Sequence, residues 1–236
     1  MLGKKSRLAA SAAVAGAFAL LTACSPVKPG AAAIVGSERI TSASLATQVS
    51  ALNSDLAPYS AQLTGLTQQE VIDVVLGWLV TFQVQDRLAA SHGITVGPFQ
   101  VNEGLSYADA QAQQNAEEQN TQYDAASVLP LSGIPQTLKT DYGQFEYQQL
   151  ALEKLYNGNT VPSTSAELSA AETALLKASC HIAKSLNIQV NPQYGQLTQN
   201  QNPGAYSVIP VGDKLSKLGG KPAPSSTPTP TVGFAC

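Results

Sequence analysis

The sequence predicts a mainly α-helical protein: a helical bundle with a small two- or three-stranded sheet formed by an N-terminal hairpin and a C-terminal strand. Three observations predict this fold class. Two Thr-x-x-Glu capping boxes precede long segments with apolar residues at helical spacing. One of these segments is apolar on nearly every side, so that other helices must enclose it. Short extended segments stand at both ends of the helical region, at 31–35 and 188–190.

The first elements are a strand, a turn, a return strand and a helix. Residues 31–35 indicate the strand, Gly36-Ser37 the turn and Arg39-Ile40 the return. Thr41 or Ser42 then suits the helix N-cap, because a hydroxyl there accepts a hydrogen bond from a free backbone amide. The apolar positions of the helix that follows are Leu45, Val49 and Leu52.

The central helix carries the strongest local signals. Thr67-Gln68-Gln69-Glu70 is a capping box, in which the Thr hydroxyl and the Glu carboxylate each satisfy a free amide. The helix runs to about Ser91, and Gly93 stands where a left-handed C-terminal cap would fall. Trp78 and Phe82, one turn apart, suit core packing better than a ligand platform. The other apolar positions are Val71, Ile72, Val74, Val75, Leu76, Leu79 and Val80.

The middle of the chain predicts two further helices joined by a loop. Pro98 suits the first turn of an Ala- and Gln-rich surface helix that reaches Gln122, although the order of its Gln-rich part, 109–122, stays open. Pro130, Gly133 and Pro135 indicate the loop. The next helix covers 136–156, and Gly143 within it costs about 1 kcal/mol relative to Ala and favours a kink.

The C-terminal part of the fold is one more helix and a strand. Thr164-Ser165-Ala166-Glu167 is a second capping box, and the helix after it ends near Asn187. Residues 188–190 alternate like a strand and are a natural partner for 31–35. Past Gly195 the chain is rich in Asn, Gln, Pro, Ser and Thr, so 196–236 is predicted to be a largely disordered, low-complexity tail.

The N-terminus resembles a bacterial lipoprotein signal. Lys4, Lys5 and Arg7 precede a 14-residue apolar run that is shorter than the roughly 20 residues a transmembrane helix needs. Leu21-Thr22-Ala23-Cys24 then matches a lipobox, whose thiol would carry diacylglycerol; the alternative is a plain secretory signal with a chance cysteine. We expect a signal peptide at 1–23, a tether at 24–30 and a folded domain at 31–195.

The net charge of the chain after signal removal limits the classes of partner that it can bind. Removal of Lys4, Lys5 and Arg7 with the signal leaves 10 basic against 16 acidic residues, a formal net charge of −6. Nucleic acid is not expected as a partner, because phosphate binding needs a clustered basic surface. Membrane attachment would come from fatty acyl chains such as palmitate on Cys24, which places the protein at the extracytoplasmic face of the cell membrane.

The two other cysteines, Cys180 and Cys236, form an even pair in a compartment where disulfides persist. A bridge between them is one interpretation. A semi-buried free thiol at Cys180 and an unpaired terminal Cys236 is the other.

Catalytic signals are weak. The sequence has no phosphate loop, dinucleotide fingerprint, paired-Cys zinc site, HExxH or GxSxG motif, so we expect no enzyme activity, cofactor, metal or catalytic residue. His92 suits a helix C-terminus. Cys180 and His181 are adjacent and would point about 100° apart on a helix. Glu117 and Glu118 indicate a solvated face.

Several segments together resemble the N-terminal domain of the SurA and PrsA group of extracytoplasmic chaperones and foldases, over roughly residues 31–195. They are Ala33 to Thr41 with the following helix, the Glu70 to Ala90 helix, His92 to Val96, and Ile188 to Gly195. Members of this group usually also carry a parvulin-type prolyl isomerase domain with paired histidines. This chain has only His92 and His181, so the resemblance implies client binding without isomerase activity.

Two functions from different classes follow as expectations. The first is a chaperone-like protein that binds unfolded or exported polypeptides in an apolar cleft between helices. The second is a structural or adaptor envelope lipoprotein that binds a single folded partner.

Overall fold

The computed structural model describes residues 29–61, 66–199 and 206–209. The strands are β1 (Ala31–Val35), β2 (Glu38–Thr41), β3 (Gln189–Val190), β4 (Gln196–Gln199) and β5 (Tyr206–Ile209). The helices are α1 (Ser42–Leu56), α2 (Gln68–Ser91), α3 (Pro98–Glu118), α4 (Ala125–Leu131), α5 (Lys139–Tyr156) and α6 (Ser165–Ser185). Short 3-10 turns cover Ala57–Tyr59 and Gln136–Leu138. The predicted fold class, a helical bundle with a small sheet, is confirmed.

The small sheet joins the two ends of the helical region. Its strand order is β2-β1-β3, and both pairings are antiparallel. Ile34 of β1 lies opposite Arg39 on one side and Gln189 on the other. The pairing of the N-terminal hairpin with a strand after the last helix is therefore confirmed.

Helix termini follow the predicted capping residues. Thr41 caps α1, and complete capping boxes begin α2 at Thr67 and α6 at Thr164. In the first box the Thr67 amide donates to the Glu70 carboxylate at 2.7 Å. Gly93 follows α2 with φ +71°, as a left-handed cap requires.

The main core lies between the sheet, α1, α2 and α6. Helix α2 crosses the middle of the molecule, and its buried apolar positions contact all of these elements. The fully enclosed members include Ala33, Leu45, Leu52, Val75, Leu76, Val80, Val84 and Ala183.

Helices α3 and α5 touch backbone to backbone. A Cβ on Gly104 would lie 2.1 Å from the carbonyl oxygen of Gly143, and a Cβ on Gly143 would lie 2.7 Å from the carbonyl oxygen of Val101. Gly143 therefore allows α3 to cross α5 closely. The sequence favoured a kink at Gly143, but α5 runs through this residue as one continuous helix. The helix predicted from Pro98 to Gln122 ends at Glu118, and its buried residues are Gly104 and Ala108.

The segment predicted as a loop around Pro130 contains helix α4. Asp124 caps it by accepting a hydrogen bond from the Ala126 amide at 3.0 Å. Pro130 has no amide to donate to the Ala126 carbonyl, and Gln136 Nε2 donates to that carbonyl instead, at 3.4 Å. A helix of seven residues therefore tolerates the proline near its end.

The fold continues past residue 195, where the sequence placed the end of the domain. Strands β4 and β5 pair antiparallel, and Leu197 and Tyr206 are buried in the main core. The Tyr206 amide donates to Thr81 Oγ1 and its hydroxyl donates to the Ser179 carbonyl, each at 3.0 Å. The predicted signal peptide, Cys24 and Cys236 lie outside the described residues.

Candidate binding groove between α1 and α2

A groove of about 620 Å³ runs along α1. Its floor includes Leu45 and Val49, which belong to the main core. The lining residues are Ser42, Leu45, Ala46, Val49, Ser50, Asn53, Ser54, Gln68, Ile72 and Tyr194. The volume lies in the range of small-ligand pockets, roughly 300–1,000 Å³.

Helical spacing aligns one wall of the groove. The α1 lining positions recur every three or four residues from Ser42 to Ser54, so they form one stripe along the helix. Thr41 sets the start of this stripe by capping α1. Within the stripe, Ala46 and Ser50 are exposed and lie one turn apart.

The opposite wall comes from the start of α2 and from Tyr194. Gln68 and Ile72 lie one turn apart on α2, immediately after the cap at Thr67. Asn53 Nδ2 donates to Gln68 Oε1 at 3.3 Å across the α1–α2 junction. Tyr194 follows β3 and brings a distant part of the chain to the groove.

The chemistry of the lining suits binding. The polar side chains of the lining hydrogen-bond without formal charge: they are the hydroxyls of Ser42, Ser50, Ser54 and Tyr194 and the amides of Asn53 and Gln68. Among the described residues, the lining contains no carboxylate, ammonium, imidazole or thiol. An apolar floor edged by neutral hydrogen-bonding groups is suited to an apolar segment whose backbone amides still need partners.

Three carboxylates lie close to the groove residues in sequence but outside the groove lining. Asp55 follows Ser54, and its Oδ2 accepts a hydrogen bond from the Gln136 amide at 2.8 Å. Hydrogen bonds from Thr67 lower the pKa of Glu70. Burial raises the pKa of Asp73, which accepts a hydrogen bond from Gln69.

Two smaller cavities lie elsewhere. One of about 320 Å³ lies between α3, α4 and α5, and Lys139 and Asp109 line it. The other, of about 100 Å³, is lined by Asp86 and Asp141. Asp86 Oδ1 accepts hydrogen bonds from the side chains of Gln144 and Gln148. Two effects raise the pKa of Asp141: the larger is burial, and the smaller is the nearby negative charge of Asp86.

The residues that the sequence offered as candidates for catalysis do not lie together in one site. His92 is the C-cap of α2, and its Nε2 lies 3.1 Å from the Tyr156 hydroxyl. Cys180 is buried and disulfide-bonded, whereas the neighbouring His181 is exposed. Because Cys24 and Cys236 both lie outside the described residues, the pairing of Cys180 with Cys236 stays a prediction.

The other two groups considered from sequence occupy ordinary positions. Glu117 and Glu118 are exposed at the end of α3, and each accepts a hydrogen bond from a glutamine four residues earlier. Trp78 and Phe82 have ring centroids 5.5 Å apart, and Trp78 Nε1 donates to the Ser132 carbonyl. The two rings pack with Phe145 of α5.

Sequence reasoning missed a set of enclosed polar side chains on α5. Burial raises the pKa of Glu146 and of Glu153, and Glu172 adds to the shift at Glu153. Gln149 donates to Glu153, and Glu146 pairs with Tyr142. Polar residues at inward positions of an otherwise amphipathic helix are the signal that would have identified them.

Within residues 29–61, 66–199 and 206–209, no three His, Cys, Asp or Glu side chains cluster as they would around a metal ion. None of the helices in the described part of the chain has both the length and the apolar character needed to cross a membrane.

The fold and the groove together define a mainly α-helical protein with a groove whose described lining residues carry no formal charge. Comparison of the chain with protein-family models, curated proteins and solved structures finds no match.

Proposed function

We propose that this protein is a lipid-anchored, chaperone-like protein that binds unfolded or exported polypeptides outside the cytoplasm, without isomerase activity. The observation that carries the proposal is the groove along α1, which combines an apolar floor with neutral hydrogen-bonding walls. The resemblance of the sequence to the SurA and PrsA N-terminal domain points to the same kind of activity. The proposal assigns the groove to clients and Cys24 to the anchor.

An unfolded polypeptide exposes apolar side chains and backbone amides, the two kinds of group that this groove can bind. Burial of its apolar side chains contributes about 25 cal/mol per Å² before the costs of ordering the client are subtracted. The hydroxyls of Ser50 and Ser54 and the amide of Asn53 lie beside the apolar floor, where they can meet client backbone groups. Among the described residues the groove lining is uncharged, so the proposed binding needs no charged residue at a fixed position of the client.

Attachment to the membrane would hold this groove near newly exported chains. Each buried methylene of an acyl chain adds about 0.8 kcal/mol, so two or more chains on Cys24 give stable anchoring. The tether at 24–30 separates the anchor from β1.

Aggregation of an unfolded client tests the proposal. The mature chain carrying Cys24→Ser is mixed with a client diluted from denaturant, and light scattering is followed. We expect suppression at equimolar to several-fold excess. Ser50→Trp fills the groove from an exposed position and should weaken suppression several-fold, whereas Ser44→Trp, exposed on α1 outside the lining, should leave it unchanged. No suppression at several-fold excess contradicts the proposal.

One observation favours the second candidate, an adaptor for a single folded partner. Val74 and Leu131 are both large apolar residues with exposed side chains, 37% and 46% accessible. Val74 packs against Gly133, two residues after Leu131, so both lie beside the α2–α4 contact. A pull-down that yields one stoichiometric folded protein, lost on Leu131→Ser and kept in Ser50→Trp, would support the adaptor function instead.

A further inference from the structure

Helices α2, α5 and α6 each place a polar side chain in the interior of the molecule. Gln85 is 1% exposed, Gln148 is 4% exposed and Ser179 is fully enclosed. Within residues 29–61, 66–199 and 206–209, the buried side-chain atoms without a hydrogen-bond partner are Gln85 Nε2 and Oε1, Gln148 Oε1 and Ser179 Oγ. These four atoms therefore come from three side chains, one on each helix.

Contacts between α2 and α5 bring Gln85 and Gln148 to the same level. Gln148 Nε2 donates to Asp86 Oδ1 at 2.8 Å, and Asp86 directly follows Gln85 on α2. Further along both helices, His92 Nε2 lies 3.1 Å from the Tyr156 hydroxyl. The two helices therefore run in the same direction, with the two glutamines side by side.

Ser179 belongs to this level as well. A leucine from each of the three helices joins one buried cluster, which contains Leu88, Leu152 and Leu175. Gln85, Gln148 and Ser179 each lie three or four residues from the leucine of their own helix, on the same helical face. Tyr206 donates to Thr81 Oγ1 and to the Ser179 carbonyl. Because Thr81 lies one turn before Gln85, Ser179 lies on the Gln85 side of the leucine cluster.

The unpaired atoms of this layer include both donors and acceptors. The Gln85 nitrogen donates, the Gln85 and Gln148 oxygens accept, and the Ser179 hydroxyl does both. A buried polar group left unpaired costs about five- to 150-fold in the folding equilibrium constant. A metal ion would satisfy the oxygens but not the nitrogen, whereas a water molecule both donates and accepts. Buried waters typically make about three hydrogen bonds to such groups.

From this arrangement we infer an internal hydration site: ordered water lies between α2, α5 and α6 and bridges Gln85 to Gln148 and to Ser179. The bridges form only when the three side chains are level, so the site fixes the register in which these helices pack. None of the three residues lines the groove along α1, and the site does not depend on the proposed function.

A high-resolution crystal structure of the mature Cys24→Ser chain tests the occupant. We expect an ordered water within about 3.2 Å of Gln85 Nε2 or Oε1 and of at least one of Gln148 Oε1 and Ser179 Oγ. Direct hydrogen bonds among the three side chains, an ion at this position, or a layer without ordered water would overturn the inference.

A double-mutant cycle of Gln85→Leu and Ser179→Ala tests whether one bridge joins the two residues. Each single substitution leaves the other side chain without its bridge, so the second substitution costs less once the first is made. By urea denaturation, we expect the double variant to raise the unfolding equilibrium constant about fivefold less than the product of the two single effects.

Ser169→Ala, the same substitution at an exposed position of α6, is the matched control. Combined with Gln85→Leu, it should multiply to within about twofold. The same simple product for Ser179→Ala would overturn the inference, because the two side chains then share no bridge. The crystal structure needs neither substitution, so it decides the occupant even if Gln85→Leu does not fold.

Discussion

At the scale of single residues, Gly104 and Gly143 fix how closely α3 approaches α5. The ideal Cβ position on Gly104 lies 2.1 Å from the carbonyl oxygen of Gly143, far inside van der Waals contact, and backbone cannot move aside as the end of a side chain can. From the sequence alone, both glycines are expected to destabilise their helices, since glycine has a low helix propensity. Their role becomes visible only when the two helices are placed together.

Gly104→Ala should therefore destabilise the protein. Alanine gains about 1 kcal/mol of helix propensity, but the clash forces α3 and α5 apart, for which overpacking costs of about 1–3 kcal/mol are typical. Because the clash is with backbone, we expect a cost in the upper half of this range and a net loss of about 1–2 kcal/mol in the free energy of unfolding, measured by urea denaturation. Asn102→Ala, exposed on the same helix, is the control and should change stability by less than about 0.5 kcal/mol.

Glu153 sets a pH dependence of stability. Burial, with a smaller contribution from Glu172, raises its pKa in the folded state above the ordinary value for glutamate. The folded protein then binds more protons at this site than the unfolded chain, so the contribution of Glu153 to stability falls as pH rises through the interval between the two pKa values.

The expected outcome is that Glu153→Gln stabilises the protein at pH 7 relative to wild type, and that the difference shrinks as the pH is lowered towards 4. Thermal melts across this pH range measure it. Glu117→Gln, at an exposed position, serves as the reference. A pH-independent difference at position 153 would show that the Glu153 carboxylate has the same pKa in both states.

At the scale of elements, local sequence signals predict where helices begin. They fail where contacts between distant residues decide whether a helix forms or where it ends. Thr41, Thr67 and Thr164 cap helices as predicted, because the capping interaction lies within four residues of sequence. Helix α4 was predicted as a loop, because Pro130 and Gly133 suggest one and the Gln136 contact that replaces the missing bond is distant in sequence. The end of α3 at Glu118 differs from the predicted Gln122 by a single turn.

Strands β4 and β5 were missed for a related reason. Each contributes one buried anchor, Leu197 or Tyr206, within a polar stretch whose composition is typical of disorder. The stabilising contacts run to Thr81 on α2 and to Ser179 on α6, which the sequence does not place nearby.

Leu197→Ala tests whether this pair of strands belongs to the cooperative fold. Removal of a buried leucine side chain costs about 2–5 kcal/mol, and we expect a value in this range from chemical denaturation. Val161→Ala changes a side chain that is 71% exposed and should alter stability by less than about 0.5 kcal/mol. Equal, small effects at both positions would mean that β4 unfolds independently of the helical core.

At the scale of the whole molecule, the fold class followed from periodicity and caps, whereas the position of the groove did not. Its walls come from α1, from the start of α2 and from Tyr194, so the groove depends on the packing of segments up to about 150 residues apart. The expectation of an apolar cleft between helices was general, and no single motif selected α1.

The proposed membrane anchor is also a property of the whole molecule. Expressed in its native host, the wild-type protein should sediment with membranes, and Cys24→Ser should either release it or retain the uncleaved signal peptide. Fractionation with immunoblotting distinguishes these products by size. A Cys24→Ser product of unchanged size that still sediments with membranes would contradict the lipid attachment.

The most direct test of the client-binding claim is site-specific photo-crosslinking from the groove. A benzophenone amino acid replaces Ser50 in the full mature chain, or Ser44 as the exposed control on the same helix, and each protein is irradiated with an unfolded client. Client binding in the groove predicts a crosslinked product from position 50 that a competing apolar peptide removes, and little from position 44. Equal crosslinking at both positions, or none at position 50, would contradict it.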